Sequence, residues 1–529
     1  MSQDCLIGVD LGTSVVKTTL YNAQGTPLAH AVRDASLYQP GPGLAEQRGE
    51  DFTDAALETI REVVGRAELP PTAVAAVAFD GQMGGAMGID RDWNAVTPWY
   101  PSTLDTRYQP YLARMLNRAE DRLMALGGAL PLAAPRMLWW QTEQPELYRR
   151  IHKVLILANY VAGRLAGLRA EEAFIDPSYL TFIGLSDTGQ RAWSGELAEL
   201  WGLSLEKLPR VVPATTVIGH LSKETAQACG LAAGVPLVAG AGDQVAGFLG
   251  AGLVEVGQLI DVAGTFPVFA TCLDRFVVDT AHGMLQSLAG PIADAHWYLM
   301  MYIGGGGLTH RWFCDQFAAA EKKQARAQGI SVYEWLDAQA ADLPPGAEGL
   351  LFIPHLAGRI CPGDPAVRGA WLGFTWTHRK PHFYRALLES IAYDYAQALE
   401  AMRDHCPDVA FRQARVIGGG AGSALWNQIK ADVLGLSYAR LAGADRATLG
   451  CAIMAGHAVG LYPDMAETAR QFATVVDQVQ VRPAYHERYR GYVAAYRASF
   501  DRLRDLYERL TALGNQPFDA PSLGRGDSA

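Results

Sequence analysis

The sequence predicts an α/β protein of two related lobes facing a central cleft, and three observations carry that reading. The chain of 529 residues is too long for one hydrophobic core, so two large domains are expected. Strand-like runs alternate with helix-patterned segments along its length. Two strand–turn–strand units, each with a Gly-Thr pair in the turn, lie about 250 residues apart, and each opens a half-chain of mixed strands and helices. One lobe is placed at residues 1–251, a second at 252–513, and a Pro/Gly/Ser-rich, disordered tail at 514–529.

The elements follow in order. Residues 5–9 (CLIGV) and 15–21 (VVKTTLY) read as two strands joined by the turn DLGTS. A helix follows over roughly 50–66, then a buried strand over 73–79 (AVAAVAF) that ends at Asp80. Residues 111–126 and 136–167 carry helical patterning, with Pro135 and Pro145 at helix starts. The strand LVAG (237–240) leads into the small-residue stretch GAGDQ. In the second half, GQLIDVAGTFPVFA (257–270) repeats the strand, Gly-Thr turn and strand. Helices dominate 307–341 and 381–405, and the strand ARVI (414–417) runs into GGGAGSALWNQIKADVLG, a glycine-rich turn opening a helix. A small-residue helix over 447–460 and a charged amphipathic helix over 485–513 complete the pattern.

Composition excludes several classes. A net charge of −10 argues against a surface for the nucleic-acid backbone. No uncharged stretch reaches the length of a bilayer span, and the start MSQDCLIGVDLG lacks the basic and apolar regions of a signal peptide. The seven cysteines are scattered without a CxxC, and the twelve histidines show no HExxH. Neither a disulfide framework nor a zinc site is expected, and a reduced cytoplasm fits. Neither nucleic acid nor membrane is expected as a partner.

Three turns carry the chemistry. In DLGTS the glycine lets the backbone approach a phosphate, and the N–H groups, Thr13 and Ser14 offer donors. Asp10 can orient a metal-bound water, and Lys17 either adds charge or is simply solvated. The turn AGTF offers Gly264 and Thr265 in the same manner. In GGGAGS, Gly419 and Gly420 form a flat backbone surface for a base and ribose, with Ser423 and Asn427 as polar contacts. Each turn alone reads as a plain hairpin; together they point to a nucleotide. No GxxxxGK[ST] is present, and no strand ending in an acid follows GGGAGS at the spacing of a dinucleotide site. Asp243 either caps a helix or is a working carboxylate with space beside it.

The segments IGVDLGTSVVKTTLYNAQG, GQMGG, PRMLWWQTEQPELY, GAGDQ, AGTF, GLLFIPHLAGRICPGDPAVRGAWLGF and GGGAGSALWNQIKADVLG, in this order, resemble the FGGY family of carbohydrate kinases, to about residue 500. The resemblance implies two RNase H-like lobes of the actin and hexokinase type, with ATP and sugar in the cleft. It implies Mg2+-dependent phosphoryl transfer to a sugar or polyol hydroxyl, with Asp243 as catalytic base and Asp10 and Asp243 at the metal. Thr13, Gly264 and Thr265 would hold phosphates, and Gly305, Gly306, Gly420 and Ala421 would line the nucleotide site. The implied sugar contacts are Gln82, Met83, Gly84, Gln244 and one of the pair Asp105 and Arg107, which otherwise form an exposed salt bridge.

Within the family, GQM and LDTR (104–107) are most like the xylulokinase members, which makes D-xylulose the expected acceptor. Gly84 stands where those members have histidine and Gln244 where they have asparagine. Gln82 and Met83 replace the Arg-Glu pair usual for glycerol. Another ketose or polyol is the alternative acceptor, and an actin-like nucleotide switch is the rival class. The switch has no need of GQMGG or Asp243. A homodimer is the expected assembly.

Overall fold

Strand β1 (Cys5–Leu11) is buried at every position and pairs antiparallel with β2 (Val15–Tyr21), which pairs in turn with β3 (Pro27–Asp34). The computed structural model describes residues 4–292, 296–443 and 445–514. Helix α1 (Gly49–Arg66) has Glu50 and Asp51 in its first turn and Arg66 in its last, the polarity that suits the helix dipole. The apolar run predicted as a strand is β4 (Val74–Gly81), wholly buried and parallel to β1. A continuous apolar strand of this kind belongs at a sheet centre covered on both faces. With β5 (Val217–His220) and β6 (Pro236–Gly242) the sheet order is β5-β6-β4-β1-β2-β3.

The second sheet comprises β7 (Leu259–Val262), β8 (Val268–Leu273), β9 (Gln286–Ala289), β10 (Trp297–Tyr302), β11 (Gln413–Ile417), β12 (Ser437–Leu441) and β13 (Val475–Val479). Its order is β9-β10-β8-β7-β11-β12-β13. In both sheets the opening hairpin lies on one side, and two parallel strands on the other: β4 and β6 beside β1, β11 and β12 beside β7. The Gly-Thr repeat in the letters is therefore a repeat of topology.

The helices that matter for the site are α2 (Asp243–Gly250), α3 (Gly306–Phe317), α4 (Val332–Ala340), α5 (Lys380–His405), α6 (Ala424–Leu434), α7 (Arg446–Ala458) and α8 (Pro483–Gly514). The helical stretch expected over 136–167, with starts at Pro135 and Pro145, is interrupted by a strand. Helices Ala134–Glu143, Pro145–Arg150 and Leu157–Ala166 flank a strand, Lys153–Leu155, that pairs with Gly85–Ile89. Pairing with a distant strand overrides the local helical pattern there. The edge strand β3 was not expected at all. Residues 515–529, nearly all of the expected tail, lie outside the described residues.

The boundary at 251 is crossed by α7. This helix comes late in the chain yet packs against β1, β4 and α2, and Leu449, Cys451, Ile453 and Met454 belong to the first core. It is buried on nearly all sides, as an apolar small-residue helix must be. A Cβ on Gly250 would sit 1.9 Å from the Arg446 carbonyl oxygen, and one on Gly450 would sit 1.9 Å from that of Ala246. Ala246 and Gly250 of the small-residue stretch thus serve a helix crossing in backbone contact. Gly250→Ala is expected to cost about 1–3 kcal/mol, read as a lowered Tm in calorimetry. Gly247→Ala, where an added carbon meets nothing within 4 Å, is the control expected to be neutral or slightly stabilising.

Candidate active site

Asp10 and Asp80 are the next-to-last residues of β1 and β4, and Asp243 follows β6 directly, so three carboxylates collect at the carboxyl ends of adjacent parallel strands. The register sets Asp10 beside Asp80 and Asp80 beside Ala241. Crevices at such strand ends are where open α/β sheets bind ligands. Asp243 is the first residue of α2 and Gly242 its cap, so Asp243 does not cap the helix. Its Oδ1 accepts from the Gln244 N–H at 2.6 Å.

The three acids differ in state. Burial, followed by the charge of Asp10, raises Asp243 to a pKa of about 7. Asp80 is fully buried, and burial together with Asp10 raises it well above the carboxylate range. Cys451 Sγ donates to Asp80 Oδ2 at 3.0 Å. Burial raises Asp10 too, opposed by Lys17, whose Nζ lies 3.0 Å from Oδ2. Burial works against the Lys17 charge, but Asp10 and Asp445 outweigh it and hold the ammonium protonated. Lys17 is thus an ion-pair partner, neither freely solvated nor free to roam.

Gln82 is turned inward. Its Oε1 accepts from Thr13 Oγ1 at 3.3 Å and its Nε2 donates to Gln47 Oε1 at 2.9 Å, while Gln47 Nε2 donates to the Thr13 carbonyl at 2.9 Å. It braces the DLGTS turn, with Ser14 exposed at the turn's tip. Met83 is buried against Gly242, whose added Cβ would meet its Cε at 2.6 Å. A Cβ on Gly84 would meet Leu132 Cδ1 at 2.9 Å, so leucine fills the space toward which a longer side chain at 84 would project. Gln244 is half-buried at the start of α2.

Asp105 and Arg107 correct an expectation. Their pair is not exposed: Asp105 has no accessible surface and accepts from Arg136 Nη1 at 2.5 Å, Arg107 Nε at 2.8 Å and the Ala45 N–H at 3.0 Å. With both oxygens committed, Asp105 presents no atom to a sugar. Arg107 also donates to Glu46 at 2.7 Å and lies over the Tyr100 ring. Burial raises the Asp105 carboxyl, but the arginines and the Ala45 N–H outweigh it and hold it below the usual range.

In the second lobe a cavity of about 550 Å³ is lined by Gly264, Thr265, Gly419, Gly420 and Ser423, bringing the AGTF and GGGAGS turns together. Four other expected residues stand behind its wall. Ala421 and Asn427 are buried, and Asn427 Nδ2 donates to the Ala421 carbonyl at 2.9 Å. Gly305 caps α3 and Gly306 packs on Pro267, while Gly307 lines the cavity in their place. Ser423 caps α6, and its hydroxyl donates to Asp337 Oδ2 at 2.6 Å.

Sequence reading missed His310, Arg311, Tyr333 and Asp337, which line the same cavity from α3 and α4. The available signal was the Ser331/Glu334 capping box that starts α4. Burial lowers His310 to a pKa of about 4, so the imidazole is neutral and, with Tyr333 and Trp426, makes an aromatic wall. Tyr302 was missed as well. Burial and then the charge of Asp243 push its phenol to about 12, and it stacks on the half-exposed Phe266.

Comparison with known proteins agrees with this arrangement. The N-terminal domain of the FGGY family of carbohydrate kinases matches residues 5–250, and the C-terminal domain of that family matches residues 262–459. The chain is 27% identical over 510 residues to a xylulose kinase of Bacillus subtilis, covering 95% of this chain and 96% of that protein. It is 29% identical over 503 residues to an autoinducer-2 kinase of Yersinia enterocolitica, covering 89% of each. The ligand-bound xylulose kinase from Lactobacillus acidophilus superposes with a TM-score of 0.87 at 22% identity, over 96% of this chain and 99% of that one. That likeness gives the fold as two lobes of the actin and hexokinase type. With both halves matched in order, the chain belongs to the FGGY family of carbohydrate kinases.

Proposed function

We propose that the protein transfers the γ-phosphoryl group of ATP to a terminal hydroxyl of D-xylulose, giving D-xylulose 5-phosphate, with Asp243 as general base in the cytoplasm. The carrying observation is Asp243 at the strand-end crevice with a pKa of about 7, where a base is half-ionised at neutral pH and still strong enough to take a proton. The hydroxyl gives its proton to Asp243, its oxygen attacks the γ-phosphorus in line, and the bond to the β–γ bridging oxygen breaks to release ADP. Thr13 and Thr265, on matching turns of the two lobes, approach the phosphates, and the cavity beside Gly419 and Gly420 takes the adenosine.

Mg2+ fits the donors present. Burial and then the charge of Asp10 raise Asp243, and a divalent cation held by these two carboxylates would offset their repulsion. Mg2+ typically uses one or two carboxylates with waters and phosphate oxygens, so a larger protein cluster is not required. When bound it would neutralise phosphate charge; Asp10 and Asp243 would hold it.

The names of the relatives support a sugar kinase and divide on the acceptor, and Gly84 with Gln244 is where this chain departs from the xylulokinase pattern. A coupled ADP-release screen across D- and L-ketopentoses, ketohexoses, pentitols, gluconate and glycerol tests the reading. D-xylulose is expected to give the highest kcat/KM. Turnover on glycerol alone, with none on any ketopentose, overturns it.

A further inference from the structure

The base is carried by flexible-looking backbone: Gly240 has a φ of +70° and Gly242 has no side chain to anchor it. What holds it is a buried 3-10 helix, Pro177–Phe182, capped by Asp176. Asp176 Oδ2 accepts from the Ser178 N–H at 3.0 Å and Oδ1 accepts from Ser178 Oγ at 2.6 Å. With its proton given to Asp176, the Ser178 hydroxyl presents a lone pair to the Gly242 N–H, which donates to it at 2.8 Å. Tyr179 OH donates to the Ala241 carbonyl at 2.9 Å. The Ala241 C=O and Gly242 N–H belong to one peptide unit, so neighbouring residues grip both ends of the same plane, next to Asp243. Thr181 Oγ1 on the same helix donates to the Ser287 carbonyl of β9 at 2.6 Å, bracing the grip against the second sheet.

We propose that Ser178 and Tyr179, oriented by Asp176, are positioning residues that fix the Ala241–Gly242 peptide plane and so aim the Asp243 carboxylate at the acceptor hydroxyl. Asp176, Ser178 and Tyr179 are 2%, 0% and 1% exposed, so none touches substrate. The proposal rests on Asp243 being the base. Misaiming a reacting group by about 1 Å costs on the order of 10²-fold, so a partial loss is the expected scale.

The test compares Ser178→Ala, Ser178→Thr, Tyr179→Phe and Asp243→Asn, singly and combined, using the best acceptor from the screen. Ser178→Ala is expected to lower kcat roughly 10–100-fold with the KM for ATP within about twofold, and Ser178→Thr to restore most of it. Tyr179→Phe removes one oxygen from the grip and is expected to lose kcat in the same direction, which keeps the test decisive if the alanine variant folds poorly. In the Asp243→Asn background, Ser178→Ala should add no further loss, because its effect passes through the missing carboxylate. Unchanged kcat in both single variants, or losses that multiply fully in the double variant, overturns the positioning role. Wild-type turnover by Asp243→Asn itself overturns the base assignment instead, and with it the premise.

Discussion

Asp243→Asn is expected to lower kcat by about 10²–10⁴-fold while leaving nucleotide binding intact. Asparagine keeps the shape and one acceptor oxygen but cannot take the hydroxyl proton. In the wild-type enzyme kcat/KM should fall toward acid with an apparent pKa of about 7, because Asp243 works only after losing its own proton. The variant should lose that acid limb. The same shift has a second consequence. Native Asp243 holds a proton more tightly than an unfolded aspartate does, so its contribution to stability is most favourable at low pH. That contribution declines as pH rises from 3.8 to about 7. At about pH 8 the ligand-free Asp243→Asn protein is therefore expected to melt at or above the wild-type temperature while turnover collapses. Coupled ADP release and calorimetry over a pH series read both quantities. Near-normal turnover with an intact acid limb would mean that another group is the base.

Lys430→Met is expected to destabilise the protein by about 3–5 kcal/mol. Asp261 on β7 is the second-lobe counterpart of Asp10 on β1, each preceding the Gly-Thr turn of its hairpin. Asp10 faces the crevice, with a half-buried lysine as partner. Asp261 is sealed, accepting from Lys430 Nζ at 2.5 Å and Tyr395 OH at 2.7 Å, and neither charged side chain has accessible surface. Removing the ammonium leaves a buried carboxylate without its counter-ion. Adding Asp261→Asn should recover more than half of the loss, since the amide still accepts from Tyr395 and carries no charge. Urea denaturation of the three proteins measures this; a single variant as stable as wild type would show that the pair contributes nothing. The two lobes share one architecture, and this neutralised carboxylate is one place where only the first keeps its acid at the crevice.

Much of the site was readable because it sits on local signals. Glycine-threonine turns between apolar runs mark the hairpins, and the glycine-rich GGGAGS marks the turn that opens a helix. The rest was not local. Asp105 and Arg107 read like an exposed salt bridge or a sugar contact, yet Asp105 is wholly buried and paired with Arg136 from another helix. Gln82 reads like a group at a strand end facing a cleft, yet Gln47 and Thr13 consume its amide. His310 and Asp337 carry no motif; they belong to the cavity because α3 and α4 pack beside the GGGAGS turn.

By itself the sequence determined the two-lobed α/β repeat, the strand ends that carry Asp10, Asp80 and Asp243, and the order of motifs that marks an FGGY kinase. Those follow from hydrophobic period and turn chemistry, which act over a few residues. Only the tertiary structure decided how the pKa of each of the three acids is shifted. Burial and then Asp10 raise Asp80 well above the carboxylate range, with Cys451 from a helix 371 residues further on as its partner. Asp243 is raised to the edge of ionisation by burial and by Asp10, and its peptide is gripped by Ser178 and Tyr179. Desolvation and charge–charge coupling depend on what folds around a group, so the letters place a carboxylate and the fold decides what it can do.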